Sequence, residues 1–173
     1  MRIGSWNIRG LNKRIKQHEV VDFFRCNNLD ILGINETRVQ VNNFDAIRKR
    51  KLHVFQVIHN YAFHPNGRYW VFWSRSSLQV QVVAIGNQWI HLQIEEVGRP
   101  SYQITFVYDL NDGLGRESLW SFLSLVSSSL PWVVLGDFNC VRYHSERISV
   151  APPDLRAMKA FNDTIYSVGL EDI

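Results

Sequence analysis

Cysteine is scarce in this chain, and its scarcity removes two architectures at once. Only Cys26 and Cys140 occur among 173 residues. They are too few for a disulfide-stapled scaffold and too far apart for a structural zinc site, which gathers clustered ligands. Cys26 falls in a helical pattern and Cys140 just after a strand pattern. Both read as small buried hydrophobes in a reducing, intracellular compartment. Long apolar runs are lacking too: none approaches the roughly 20 residues that span a bilayer, so no membrane segment is expected. The opening Met1-Arg2-Ile3-Gly4-Ser5-Trp6 enters a strand pattern with no leader-like region or cleavage site, so secretion is not expected. No internal repeat, linker or low-complexity tract is evident. Neither sign of charge dominates. Nineteen basic against 16 acidic residues leave +3 and a pI near 9.0, compatible with a polyanionic partner without requiring one. The six histidines, His18, His53, His59, His64, His91 and His144, have neither metal-pair nor triad spacing.

What is present is an apolar content of 46% with six Trp, enough for one well-filled core, and residues 1–173 read as a single domain. Runs rich in Val, Ile, Trp and Tyr mark strands at Ile3 to Ile8, Leu29 to Ile34, Val54 to Ile58 and Tyr69 to Trp73. Others follow at Leu78 to Ile85, Trp89 to Ile94, Tyr102 to Tyr108 and Trp132 to Phe138. Turn chemistry separates them at Pro65-Asn66-Gly67, Ser74 to Ser77 and Gly86-Asn87, and the middle strands read as an antiparallel meander. Helical spacing is confined to three segments. Ile15, Val20, Val21 and Phe24 share a face between Lys13 and Asn28. Leu119, Phe122, Leu123 and Val126 do so between Glu117 and Ser128. Leu155, Met158, Phe161, Ile165 and Val168 follow Pro152-Pro153, with Asp154 as N-cap and Gly169 as stop. Strands and helices mixed in this order predict packed sheets with helices outside.

The chemically informative feature is what ends four of the strands. One runs out at Trp6-Asn7, another at Ile34-Asn35-Glu36. A third ends at Val107-Tyr108, with Asn111 three residues on, and the last at Gly136-Asp137-Phe138-Asn139. Alternation sends Asp137 and Asn139 to one face and Phe138 to the other. With these strands side by side, Asn7, Glu36, Tyr108, Asp137 and Asn139 would converge at one sheet edge. Carboxylates there would bind a hard cation such as Mg²⁺. Asn and Tyr would hold phosphoryl oxygens without adding charge, and a carboxylate would orient the attacking water. Taken singly, each residue has a plainer reading: Asn7 as a turn former, Glu36 as a solvated loop carboxylate, Tyr108 as a rim aromatic, Gly-Asp-Phe-Asn as a tight turn. Their joint occurrence at four strand ends favours the chemical one. Arg142, Arg147, Lys49, Arg50 and Lys51 read more readily as solvated charge than as nucleic-acid contacts.

Taken together, Ser5-Trp6-Asn7-Ile8-Arg9-Gly10-Leu11-Asn12, Asp30-Ile31-Leu32-Gly33-Ile34-Asn35-Glu36-Thr37, Tyr108-Asp109-Leu110-Asn111 and Gly136-Asp137-Phe138-Asn139 resemble the endonuclease/exonuclease/phosphatase superfamily. The last two look like its Tyr-x-x-Asn and Gly-Asp-x-Asn motifs. Gly67-Arg68-Tyr69-Trp70-Val71-Phe72-Trp73 and Pro131-Trp132-Val133-Val134-Leu135 further resemble the endonuclease domain of plant LINE-type (non-LTR) retrotransposons. The resemblance implies an α+β fold, a four-layer α/β/β/α sandwich of two mainly antiparallel sheets. It implies Glu36 as the main metal ligand, supported by Asn7, with Mg²⁺ as cofactor and Mn²⁺ as a substitute. Tyr108 and Asn111 would hold the scissile phosphate, Asp137 would activate water, and Asn139 would stabilise the phosphorane charge. The partner would be the DNA backbone, nicked to leave a 3′-hydroxyl for a downstream reverse transcriptase, in the nucleus by analogy.

Two departures from the family pattern stand out. Arg9 occupies the place where some relatives carry an acid, and no Ser-Asp-His motif occurs in the 173 residues. The expectation is therefore a domain truncated at its C-terminus. A catalytically inactive remnant is the alternative, and a small-molecule phosphoesterase of the same superfamily a weaker one.

Overall fold

Two four-stranded sheets are built on one plan: two antiparallel pairings and, at one edge, a single parallel pair. The computed structural model describes residues 1–64, 68–74, 78–109, 113–126, 129–148, 152 and 154–173. Among them the order is β1 (Ile3–Asn7), α1 (Arg14–Cys26), β2 (Ile31–Asn35), α2 (Val41–Lys51), β3 (Gln56–His59), β4 (Tyr69–Trp73) and β5 (Leu78–Ile85). Then come β6 (Trp89–Glu96), β7 (Tyr102–Tyr108), α3 (Gly113–Leu125), β8 (Trp132–Asp137), a 3₁₀ turn at His144–Glu146 and α4 (Leu155–Ser167). The first sheet has the order β1-β2-β4-β3 and the second β5-β6-β7-β8, with β1–β2 and β7–β8 parallel and the rest antiparallel. The α+β class expected from the sequence is the observed one. The proposed turns at 65–67 and 75–77 and most of the Pro152-Pro153 segment lie outside the described residues.

The chain forms two compact units, Met1–Tyr108 with Leu130–Asp137, and Asp109–Ser129 with Phe138–Ile173. In the first, one face of the β1–β4 sheet carries Leu32, Ile34, Trp70 and Phe72. Val20, Val21 and Phe24 of α1 and Ile47 of α2 close over them, all buried. Each such side chain contributes about 1.5–3 kcal/mol on leaving water. The opposite face meets the second sheet closely. A Cβ on Gly33 of β2 would lie 2.4 Å from Phe106 Cδ1 of β7, so only glycine lets the sheets approach this far at that point. In the second unit α3 packs on α4, and the rings of Trp120, Phe138 and Phe161 stack, with centroids 4.9 Å apart for Phe138–Phe161 and 5.2 Å for Trp120–Phe161.

Several local expectations change. The middle strands are not one meander. Strand β4 is buried on both faces and already paired on both sides by β2 and β3, leaving no edge for β5, which starts the other sheet. Helix α2 has no counterpart in the sequence reading. Its segment Val41-Asn42-Asn43-Phe44-Asp45-Ala46-Ile47 buries only Ile47 fully, so its apolar stripe is too thin to register as a period. Its last turn holds Arg48, Lys49, Arg50 and Lys51, which suits the negative end of the helix. In α1 the buried stripe runs through Gln17, Val20, Val21 and Phe24, while Ile15 is exposed. Gln17 is tolerated because its amide donates to the carbonyls of Leu11 (3.0 Å) and Asn12 (3.3 Å). Cys26 is exposed and Cys140 half-buried rather than buried, Cys26 falling two residues off that stripe. Leu155 is exposed at the start of α4, but the Asp154 cap is as expected, accepting from the N–H groups of Arg156 and Ala157 at 2.9 and 3.2 Å. Gly169, at φ +68°, ends that helix. Arg142 is neither solvated nor free for nucleic acid. It is buried, donating to Asn162 (3.0 Å) and Asp172 (2.7 Å). Among the described residues no helix is long and apolar enough to cross a membrane.

Candidate active site

The parallel pairs decide where the polar strand ends go. Parallel strands finish at the same end, so β1 delivers Asn7 beside Asn35 of β2, and β7 delivers Tyr108 beside Asp137 of β8. The two ends then meet within the first unit. Asn7 Nδ2 donates to Glu36 Oε1 at 2.9 Å and to Asp137 Oδ2 at 2.8 Å. Asn7 and Asp137 are 130 residues apart in the chain. The convergence is across two facing sheets, not along one sheet edge as the strand list suggested, because the four strands divide two and two.

Special backbone geometry holds the carboxylates in place. Glu36 sits at φ 52° and Arg38 at φ 51°, left-handed values that non-glycine residues adopt only when their surroundings insist. Here Gly10 N–H donates to the Glu36 carbonyl and Leu11 N–H to that of Thr37, both at 2.8 Å. Gly136 lies at φ +148°, and a Cβ there would stand 1.9 Å from the Val107 carbonyl oxygen. The glycine of Gly-Asp-Phe-Asn is thus required by the close pairing of β8 with β7, immediately before Asp137.

Electrostatics favour an ionised Glu36 and protonated tyrosines. Burial alone would raise the Glu36 carboxyl. Hydrogen bonds from Asn7 and Arg38, the Arg38 charge and a hydrogen bond with Tyr108 outweigh it and hold the group below the usual glutamate value. The Tyr108 hydroxyl is pushed up by burial, by the Glu36 charge and by its bond to that carboxylate, against the Arg68 guanidinium 5.6 Å from its ring centre. Tyr69, fully buried, is pushed up chiefly by burial and secondarily by Asp137.

Oxygen donors for a hard cation are present here. Two carboxylates lie within hydrogen-bond reach of one amide. Next to them Asn35, 1% exposed, has no hydrogen-bond partner for either amide atom among the described residues. No group of three or more His, Cys, Asp or Glu gathers as a metal cage among those residues. A donor set of two carboxylates and amides suits Mg²⁺, which keeps several waters, and not zinc.

The second unit carries Asn139, at φ 44°. Its amide donates to the Asp109 carbonyl at 2.8 Å, and its own carbonyl accepts from Arg116 Nη2 at 3.0 Å. Arg116 Nε also donates to the buried Asp109 carboxylate at 2.8 Å. Asn111 lies outside the described residues. Sequence reasoning passed over Arg38, Asn35, Arg68 and Arg116. Arg38 had a local signal, an opposite charge two residues after a strand-end carboxylate. The others had none, since only the fold brings them to their partners.

Comparison with known proteins agrees with this architecture. An AP endonuclease from Archaeoglobus fulgidus superposes with a TM-score of 0.66 at 16% identity, over 96% of this chain and 70% of its own. AP endonuclease LMAP from Leishmania major gives 0.69 at 16% identity, over 95% of this chain and 65% of its own. The 3′ phosphatase NExo from Neisseria, solved with a product DNA hairpin, gives 0.66 at 17%, over 96% and 71%. At such identities the likeness is one of fold, and the chain spans about two thirds of each structure's length. No curated protein sequence matches the chain. The sequence profile of one family matches residues 4–168, a span running through both compact units and all four strand-end motifs. The chain belongs to the Endonuclease/Exonuclease/phosphatase family.

Proposed function

We propose that this chain is a Mg²⁺-dependent phosphodiesterase that nicks DNA, the endonuclease domain of a retroelement-derived reverse-transcriptase protein of the plant LINE type. The observation that carries the phosphodiesterase reading is the Asn7 amide bridging Glu36 and Asp137, which gathers two carboxylates from opposite sheets. The sequence context of the motifs supports the retroelement part, and a nuclear site of action follows from the proposed substrate.

In this reading Glu36 and Asn7 hold the metal, which when bound polarises a phosphoryl oxygen and stabilises the departing alkoxide. Asp137 accepts a proton from the attacking water, a role typically worth 100- to 10,000-fold. Tyr108, protonated at neutral pH, donates its hydroxyl to a non-bridging oxygen. By the family resemblance, Asn111 and Asn139 are assigned to phosphate as further amide donors. The water oxygen bonds to phosphorus as the P–O3′ bond breaks, and the departing 3′-oxygen takes a proton from solvent, leaving a 5′-phosphate and a 3′-hydroxyl.

The test is nicking of supercoiled plasmid with Mg²⁺ by the purified chain, by Glu36→Ala and by Asp137→Ala. Metal-dependent nicking that both substitutions abolish is expected. Nicking that survives both would refute the assignment. An ordered monomer that nicks nothing would favour the catalytically inactive remnant. Turnover of phosphoinositides in place of DNA would redirect the substrate class.

A further inference from the structure

Both carboxylate oxygens of Glu36 are engaged by the chain's own side chains, and one is held by a cation. Oε1 accepts from Asn7 at 2.9 Å and Oε2 from Arg38 Nη2 at 2.6 Å. A divalent cation bonded directly to Glu36 would stand where the Arg38 guanidinium now does, and two positive groups cannot share that oxygen cheaply.

The surroundings of Arg38 are those of a movable group on a fixed base. The backbone of the loop is clamped at each of its three residues: the Glu36 carbonyl by Gly10, the Thr37 carbonyl by Leu11, and the Arg38 carbonyl by Asn12 Nδ2 at 2.7 Å. Thr37 N–H also donates to the Arg68 carbonyl. Thr37 itself is fully buried. The Arg38 side chain, by contrast, is 67% exposed against 19% for Glu36. It can therefore leave without disturbing the loop, and a long guanidinium released at this rim has the shape and charge to take a phosphate.

Building on the phosphodiesterase reading, we propose that Arg38 is an exchangeable counter-cation. It neutralises Glu36, gives the carboxylate up to a divalent cation, and then contacts a phosphate of the bound nucleic acid. Metal binding and substrate binding are coupled through this one side chain.

Mn²⁺ binding, read by electron paramagnetic resonance without substrate, tests the first half on the wild type, Arg38→Gln and Arg38→Lys. Arg38→Gln removes the charge while keeping an unbranched polar side chain at the left-handed position. It should tighten Mn²⁺ by about two- to fivefold, the factor an exposed ion pair is worth, and Arg38→Lys should restore most of the wild-type value. Unchanged or weaker Mn²⁺ binding by Arg38→Gln would overturn the exchange. The second half is read as binding of a short DNA duplex across a salt series, in an Asp137→Asn background that blocks turnover. Arg38→Gln should lower the slope of log affinity on log salt by about 0.9, one phosphate contact. A slope unchanged would overturn the phosphate contact. Glu36→Gln separates this inference from the reading beneath it. If Mn²⁺ affinity survives that change, the metal assignment itself fails, whatever Arg38 does.

Discussion

Gly136→Ala should be far more damaging than its single methyl group suggests. The added Cβ would meet the Val107 carbonyl oxygen at 1.9 Å, whereas a carbon rests no closer than about 3.3 Å from a carbonyl oxygen. Roughly 1.4 Å of separation must be found. The obstacle is backbone, so no rotamer change supplies it. The pair Val107↔Gly136 is the penultimate rung of the β7–β8 ladder, and the last rung is Tyr108↔Asp137. Opening the ladder there moves two site residues directly. The φ of +148° adds a conformational penalty of about 1–3 kcal/mol for any L side chain, and overpacking typically adds about 1–3 kcal/mol. A destabilisation of about 2–6 kcal/mol would lower Tm by on the order of 10 °C in a chain of this size. Where the variant still folds, a misplacement near 1 Å at the carboxylates should cost on the order of 100-fold in nicking. Thermal denaturation followed by circular dichroism reads the first effect and plasmid nicking the second. Wild-type Tm together with wild-type nicking would refute the argument that this glycine sets the Asp137 position.

Two further outcomes follow from buried charge. Arg116→Ala withdraws the guanidinium from the fully buried Asp109 carboxylate and from the Asn139 carbonyl. Breaking such a pair costs about 3–5 kcal/mol, and urea denaturation should show it, with Asp109→Asn in the same background recovering part of the loss. His91 is 2% exposed, its Nδ1 2.7 Å from Thr105 Oγ1, and burial lowers its pKa. The folded chain therefore disfavours a proton that the unfolded chain accepts. The resulting stability is fully present above about pH 6.5, the ordinary histidine value, and is lost as pH falls toward the lower folded value. His59 and His64 are also lowered by burial and act in the same direction. His91→Gln should flatten part of the fall in Tm between pH 7 and pH 5; an unchanged slope would rule out its contribution.

Much of the site was legible because its residues sit where the chain's periodicity breaks. Asn7, Glu36, Tyr108 and Asp137 each follow an apolar run, and the structure brings all four into one unit through Asn7 and the bond between Glu36 and Tyr108. Helix α2 was not legible, because one fully buried side chain makes no stripe. Arg142 was misjudged because its partners Asn162 and Asp172 lie 20 and 30 residues away. Local sequence cannot announce a neutralising partner that only folding supplies.

By itself the sequence determined the strands, most helix positions, the Asp154 cap and the chemical type of the strand-end residues. All of these depend on neighbours within a few positions, where periodicity, turn chemistry and capping act. Tertiary structure alone decided that the strands divide into two sheets and that their parallel edges end together. It also decided that Arg38 and Asn7 saturate Glu36, and that Gly136 must be glycine. Each of those turns on a contact between distant segments: a carbonyl across the β7–β8 ladder, or an amide of one sheet reaching a carboxylate of the other.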